Sequence, residues 1–162
     1  MFKKDVHGRP RFDVNDVVRE ELAVVDIDLR TQQVSVSTEL RDGLPQLVAD
    51  RGQLQQVFLN LIMNAIEAMR PVPDRARLLR IRSDIIQESS SVLVTIEDSE
   101  TGIDRKYEDR IFDPFFTTKS TGTGIGLTIC RSIIESHGGS LQVSANNPYG
   151  TIFHIVLPSA DL

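Results

Sequence analysis

Cysteine is almost missing from this 162-residue chain, with Cys130 its single instance. That excludes an internal disulfide framework and the usual cysteine-rich zinc sites, and it fits a reducing, cytoplasmic setting in which Cys130 is a buried structural thiol. Long apolar runs are lacking too. No segment approaches the roughly 20 apolar residues that span a bilayer, and the lysines of Met1-Phe2-Lys3-Lys4-Asp5 precede no apolar stretch, so no membrane contact is expected. There is no excess of positive charge. Eighteen basic residues against 23 acidic ones give a net charge of −5 with no concentrated basic face, which argues against nucleic acid as a partner. Repeats and low-complexity tracts are absent, and glycine is scarce at ten residues, yet Gly122, Gly124 and Gly126 fall within five positions.

What remains is ordinary globular composition, 40% hydrophobic, enough for one domain with a sizeable core. Residues 1–11 are polar, broken by Gly8 and Pro10, and read as a tail, leaving residues 12–162 as the domain. Val17, Val18, Leu22 and Val25 recur at helical spacing after Asp13 or Asn15 as N-cap, which predicts a surface helix. Alternation of Val34, Val36 and Thr38 with polar residues predicts a half-buried strand, with a short second strand at Leu47 to Ala49. Asp50 caps the clearest helix, Arg51 to Met69, where Leu54, Val57, Phe58, Leu61, Ile62, Ala65, Ile66 and Met69 repeat. A hairpin from Leu78 to Asp98 follows. A further helix containing Ile129, Cys130, Ile133 and Ile134 closes at Gly138-Gly139, and two strands, Ser140 to Ala145 and Thr151 to Leu157, complete the chain. Helices interspersed with hairpins favour an α+β two-layer sandwich over a doubly wound parallel sheet.

Three groups of residues carry chemistry. Gln56, Asn60 and Asn64 stand at i, i+4 and i+8 of the long helix and line one stripe on an otherwise apolar perimeter. Their carbonyl oxygens are hard neutral donors suited to Mg²⁺ shared with phosphates, or they satisfy backbone and water in the interior. The run Thr121-Gly122-Thr123-Gly124-Ile125-Gly126-Leu127 leads into a helix, where close backbone approach and the helix dipole favour phosphate. It matches neither the Walker motif nor the dinucleotide fingerprint. Asp98 closes a strand ahead of Gly102, placing a carboxylate where it can accept a hydrogen bond from an exocyclic amine beside a flat ring.

In chain order, the amide stripe, Asp98 to Ile103, Asp113-Pro114-Phe115-Phe116-Thr117-Thr118-Lys119 and the glycine run together resemble the ATP-binding catalytic domain of sensor histidine kinases, within the GHKL superfamily and its Bergerat fold. Gln56 to Met69 is similar to the family's asparagine box, Asp98 to Ile103 and Gly122 to Leu127 to its two glycine boxes. The likeness runs from about Phe12 to Pro158. It implies a mixed, mostly antiparallel sheet packed on three helices, with ATP and Mg²⁺ as ligands. It assigns Asn64 to Mg²⁺, Asn60 to the neighbouring phosphates, Asp98 to the adenine amino group, and Gly102 and Ile103 to the adenine edge. Residues 104–121 become an ATP lid anchored by Phe115 and Phe116, with Lys119 reaching the phosphates. Thr121, Gly122, Thr123, Gly124, Ile125, Gly126 and Leu127 become the phosphate cradle.

Because water-activating relatives carry a glutamate where Asn60 stands, and an amide cannot act as that base, the resemblance implies transfer to a histidine rather than hydrolysis. Glu67 is the lesser candidate for proton acceptance. Two departures stand out. Glu100 replaces the first glycine of the family's Asp-x-Gly-x-Gly, adding a Cβ and a negative charge near a polyphosphate. None of His7, His137 and His154 is followed by an acidic residue as the family's acceptor is; His137 reads as a helix C-terminal residue favoured by the dipole. The expected partners are therefore a phosphoacceptor histidine hairpin domain, continued from residues 1–11 or supplied in trans, and a response regulator downstream. A non-catalytic nucleotide sensor, suggested by Glu100, and a GHKL-type ATPase are the competing readings.

Overall fold

Asp13 has extended backbone and its carboxylate accepts the Asn15 amide, so helix α1, Val14–Val24, starts from a side-chain cap. The computed structural model describes residues 10–70, 76–99, 125–145 and 150–160. The helix expected to include Val25 ends before it, since Val25, with φ of −96° and ψ of 12°, is not helical, and α2 follows at Asp26–Thr31. The break has a reason in the sequence: Asp26 and Asp28 suit the positive start of a helix better than its interior. Arg11, expected in the tail, belongs to strand β1, Arg11–Phe12, which pairs antiparallel with β3, Leu47–Val48, apart from the main sheet.

The main sheet runs in the order β2 (Val34–Leu40), β4 (Arg77–Ile86), β5 (Ser91–Asp98), β7 (Thr151–Pro158), β6 (Ser140–Ala145). Only the β2–β4 pair is parallel, as it must be when α3, Arg51–Met69, intervenes as a crossover; the other pairs are antiparallel. The expected mixed, mostly antiparallel two-layer architecture is thus the fold of the chain. α1, α3 and α4 (Ile125–Ser136) form the helical layer, with α2 a short addition. β2 departs from expectation. An edge strand has one neighbour, and its five central residues are exposed rather than half-buried.

The inward phase of the sheet, including Ile81, Val94, Ile96, Phe153 and Ile155, meets Phe58, Leu61 and Ile62 of α3 in one core. Ser83 interrupts that apolar phase but is not orphaned: its hydroxyl donates to Asn15 Oδ1 at 2.7 Å and accepts the Arg41 amide at 2.9 Å. Asn15 Nδ2 donates in turn to the Arg41 carbonyl at 2.9 Å, so α1, β4 and the end of β2 share one satisfied network.

α1 holds a less comfortable polar group. Val14, Val17, Val18 and Val25 face the core, and Glu21 stands in the same stripe at 6% exposure. Burial, reinforced by Glu20, raises its carboxyl above the ordinary glutamate range. A raised folded pKa means the native state favours the protonated acid, so this contribution is intact below the unfolded pKa and is lost as pH rises through the folded one. Glu21→Gln, neutral and isosteric, is expected to stabilise the fold by about 1 kcal/mol at neutral pH, with the gain vanishing near pH 4. Urea denaturation midpoints at the two pH values measure it, and an equal gain at both excludes a charge effect.

At its far end α4 is joined to the start of α3. His137, just past Ser136, donates from Nδ1 to the Ile133 carbonyl at 2.8 Å, and its Nε2 accepts the Asp50 amide at 3.1 Å. The imidazole thus stands at the helix C-terminus, as the sequence suggested, and also bridges to the start of α3. The Asp50 side chain meanwhile caps α3 through the Gln53 amide at 3.1 Å.

Candidate functional site

Helix α3 buries most of its perimeter because α1, α4 and the sheet all pack on it. The amide stripe is the side left uncovered: Gln56 is exposed, Asn60 and Asn64 are half-buried, and Glu67 is exposed. The stripe is thus partly covered in its middle and exposed at its two ends, rather than sealed in the interior.

Asn60 is hydrogen-bonded to the Cys130 thiol on α4. Burial pushes that thiol up to about 11, with the Asn60 bond acting in the opposite direction. The Sγ also faces the Val57 carbonyl at 3.9 Å. Cys130, 1% exposed, is thus a neutral packing group, as expected from a lone cysteine. α4 opens at Ile125, five residues before Cys130, so Gly126 and Leu127 belong to the helix's first turn. A Cβ built on Gly126 would meet nothing within 4 Å, so there is room beside this turn.

Asp98 is the last residue of β5, 2% exposed and in register with Leu79 of β4 and Thr151 of β7. Thr151, 1% exposed, shares its inward phase. The sequence reading passed over Thr151, although a threonine leading the inward series Phe153, Ile155, Leu157 is the kind of polar break that marks a site. Ser99, 8% exposed, was likewise missed. Glu97, on the opposite face, is paired with Arg82 at 2.7 Å. His154 lies on that face as well, bonded to Ser144 Oγ at 2.9 Å, and burial lowers its pKa.

The remaining predicted positions, Gly102, Ile103, Phe115, Lys119, Thr121, Gly122, Thr123 and Gly124, lie outside the described residues, as does Glu100. Among the described residues no group of three or more His, Cys, Asp or Glu side chains is placed to hold a metal ion, and no helix is long and apolar enough to cross a membrane.

The asparagine stripe lies on a helix that packs on both α4 and β5, the strand ending at the buried Asp98, and residues 49–161 match the family of histidine kinase-, DNA gyrase B- and HSP90-like ATPases, to which the chain belongs. It is 39% identical, over 145 residues and 90% of its length, to the sensor protein TdiS of Thauera aromatica, covering 26% of that protein. The catalytic domain of histidine kinase ThkA has the same fold, with a TM-score of 0.80 and 33% identity over 93% of this chain and 95% of that one. ThkA in complex with the response regulator protein TrrA also matches, at TM-score 0.79 and 30% identity over 94% of this chain and 42% of the other. The chain spans about a quarter of the length of the curated relatives it matches.

Proposed function

We propose that this chain is the catalytic ATP-binding domain of a two-component sensor histidine kinase, passing the γ-phosphoryl group of ATP to a histidine on a dimerisation and phosphoacceptor hairpin domain. The observation that carries the reading is the half-buried Asn60–Asn64 stripe on a helix packed against β5, the strand that ends at the buried Asp98. Residues 12–162 form this domain, to which Arg11 adds the first residue of β1. The lone cysteine and the use of ATP fit a cytoplasmic setting.

Asp98 accepts the adenine amino group, with Thr151 beside it as a second polar contact for the base. Gly126 and Leu127, with Thr121 to Ile125 ahead of them, offer backbone amides to the phosphates, and Lys119 adds charge. Gly102 and Ile103 border the adenine, and Phe115 anchors the segment between. The donors fit Mg²⁺: neutral, hard amide oxygens without a carboxylate cage suit an ion shared with phosphate and water, and Asn64 would hold it. Bound there, Mg²⁺ supplies positive charge against the phosphate oxygens. Asn60 orients the γ-phosphate and, being an amide, activates no water. The acceptor imidazole forms its N–P bond as the β–γ bridging P–O bond breaks, and ADP departs; Glu67, exposed at the open end of the stripe, takes the imidazole proton. Positioning and charge neutralisation, not covalent chemistry by the protein, are what this transfer requires. His137 and His154 are committed to structural hydrogen bonds, which supports an acceptor on another domain. The matching complex of ThkA with TrrA supports a response regulator as the next partner.

Incubation with γ-labelled ATP and a separately supplied histidine-hairpin domain tests this. Acid-labile label is expected on the hairpin, and none when its histidine is replaced by glutamine. Steady phosphate release without acceptor would point instead to a hydrolytic relative. Binding without either outcome would favour a nucleotide sensor, the reading that Glu100 suggests.

A further inference from the structure

Asp98 forms the last pair of the β4–β5 ladder, opposite Leu79. One residue on, the ladder is replaced by a side chain. The Ser99 hydroxyl accepts the Leu78 amide at 2.9 Å and donates to the Ala76 carbonyl at 3.0 Å, with the Met69 sulfur 3.4 Å away. Its one proton goes to the Ala76 carbonyl, with the Met69 sulfur as a weaker second acceptor, and one lone pair takes the Leu78 amide. The end of α3, the start of β4 and the end of β5 thus converge on one buried oxygen, next to the carboxylate assigned to the base.

A serine at this point does what continued strand pairing would otherwise do. The backbone of Asp98 is held from both sides by Leu79 and Thr151, but the peptide that follows it is tied to β4 through Ser99 Oγ. Recognition of an exocyclic amine tolerates only about half an ångström of carboxylate displacement before the hydrogen bond weakens. We propose that Ser99 is a positioning residue for base recognition: its hydroxyl fixes Asp98 in the geometry that distinguishes a 6-aminopurine from a purine lacking that amine. The inference rests on the reading of Asp98 as the adenine acceptor.

The test is the ratio of affinities for ATP and for purine riboside triphosphate, which lacks the 6-amino group, measured by calorimetry on the whole chain and its variants. A charge-assisted hydrogen bond predicts a wild-type preference for ATP of roughly tenfold or more. Ser99→Ala is expected to reduce that preference to within about threefold of unity, and Ser99→Thr, which keeps the hydroxyl, to retain it. Thermal unfolding verifies that each variant is folded; if Ser99→Ala is not, Ser99→Cys, similar in volume but a weak hydrogen-bonding partner, is read in the same way. Equal loss of affinity for both nucleotides, with the ratio unchanged, would show a merely structural serine and overturn the inference while leaving the Asp98 reading intact. Absence of any wild-type preference would overturn the Asp98 reading, and the role of Ser99 with it.

Discussion

Asn64→Ala is expected to lower phosphoryl transfer to a supplied acceptor by on the order of 100-fold or more, the usual effect of deleting a group aimed at developing charge. The fold is not at risk. Asn64 is half-buried on the open side of α3, its neighbours Ala65 and Ile66 carry the packing, and alanine favours a helix interior by about 0.5 kcal/mol over asparagine. The discriminating measurement is ATP affinity with and without Mg²⁺. In the wild type Mg²⁺ is expected to tighten binding; in Asn64→Ala that increment is expected to disappear while Mg²⁺-free binding persists. An undiminished Mg²⁺ effect in the mutant would remove Asn64 from the metal site. A uniform loss under both conditions would assign it to binding ATP directly.

Gly139→Ala is expected to be the most damaging small substitution in the fold, destabilising it by about 3 kcal/mol or more. A Cβ there would lie 2.1 Å from the Val156 carbonyl oxygen and 3.2 Å from both Ile134 Cγ2 and Leu157 Cδ2. The two side chains can give, but Val156 is in register with Ser140 in the β6–β7 ladder, and moving its carbonyl disturbs that pairing. The Gly139 amide also donates to the Ile134 carbonyl at 3.0 Å, which fixes the glycine from the helix side. Gly138 makes a useful contrast. It has the positive φ, +78°, yet a Cβ there meets only the Pro158 ring at 3.6 Å, so Gly138→Ala is expected to cost about 1–2 kcal/mol, from backbone strain alone. Urea denaturation of the two variants gives the order; a larger loss at Gly138 would show that conformation outweighs contact at this corner.

The pair Gly138-Gly139 illustrates what the sequence could and could not disclose. Helix closure was legible, because glycine after an apolar periodic run is a local signal. The division of labour was not, since it depends on how closely β7 approaches from elsewhere. The same distinction separates the other outcomes. α3 and the β4–β5 hairpin were legible from period and turn residues, and so was the exit position of Asp98. The β1–β3 pairing joins two-residue segments distant in the chain, and no local pattern announces it. β2 alternates like a half-buried strand, but its place at the sheet edge is a property of topology. The place of His137 at the end of a helix was legible, but its second partner, the Asp50 amide, comes from another element. In the candidate site, the common face of Asn60 and Asn64 was legible from their spacing on one helix. Thr151 and Ser99 did not, because each is a single polar residue whose meaning comes from the strand beside it.

The parallel pairing of β2 with β4 has a consequence for how the molecule assembles. β4, β5, β7 and β6 meet through antiparallel partners, and β4 with β5 close over only the short connection Gln87–Ser89 and Ser90. β2 cannot join until the chain has passed through α3 and returned, a longer loop with a greater entropy of closure. The edge strand is therefore expected to lock after the β4–β5 hairpin, and its pairing joins the two ends of the segment that carries the asparagine helix.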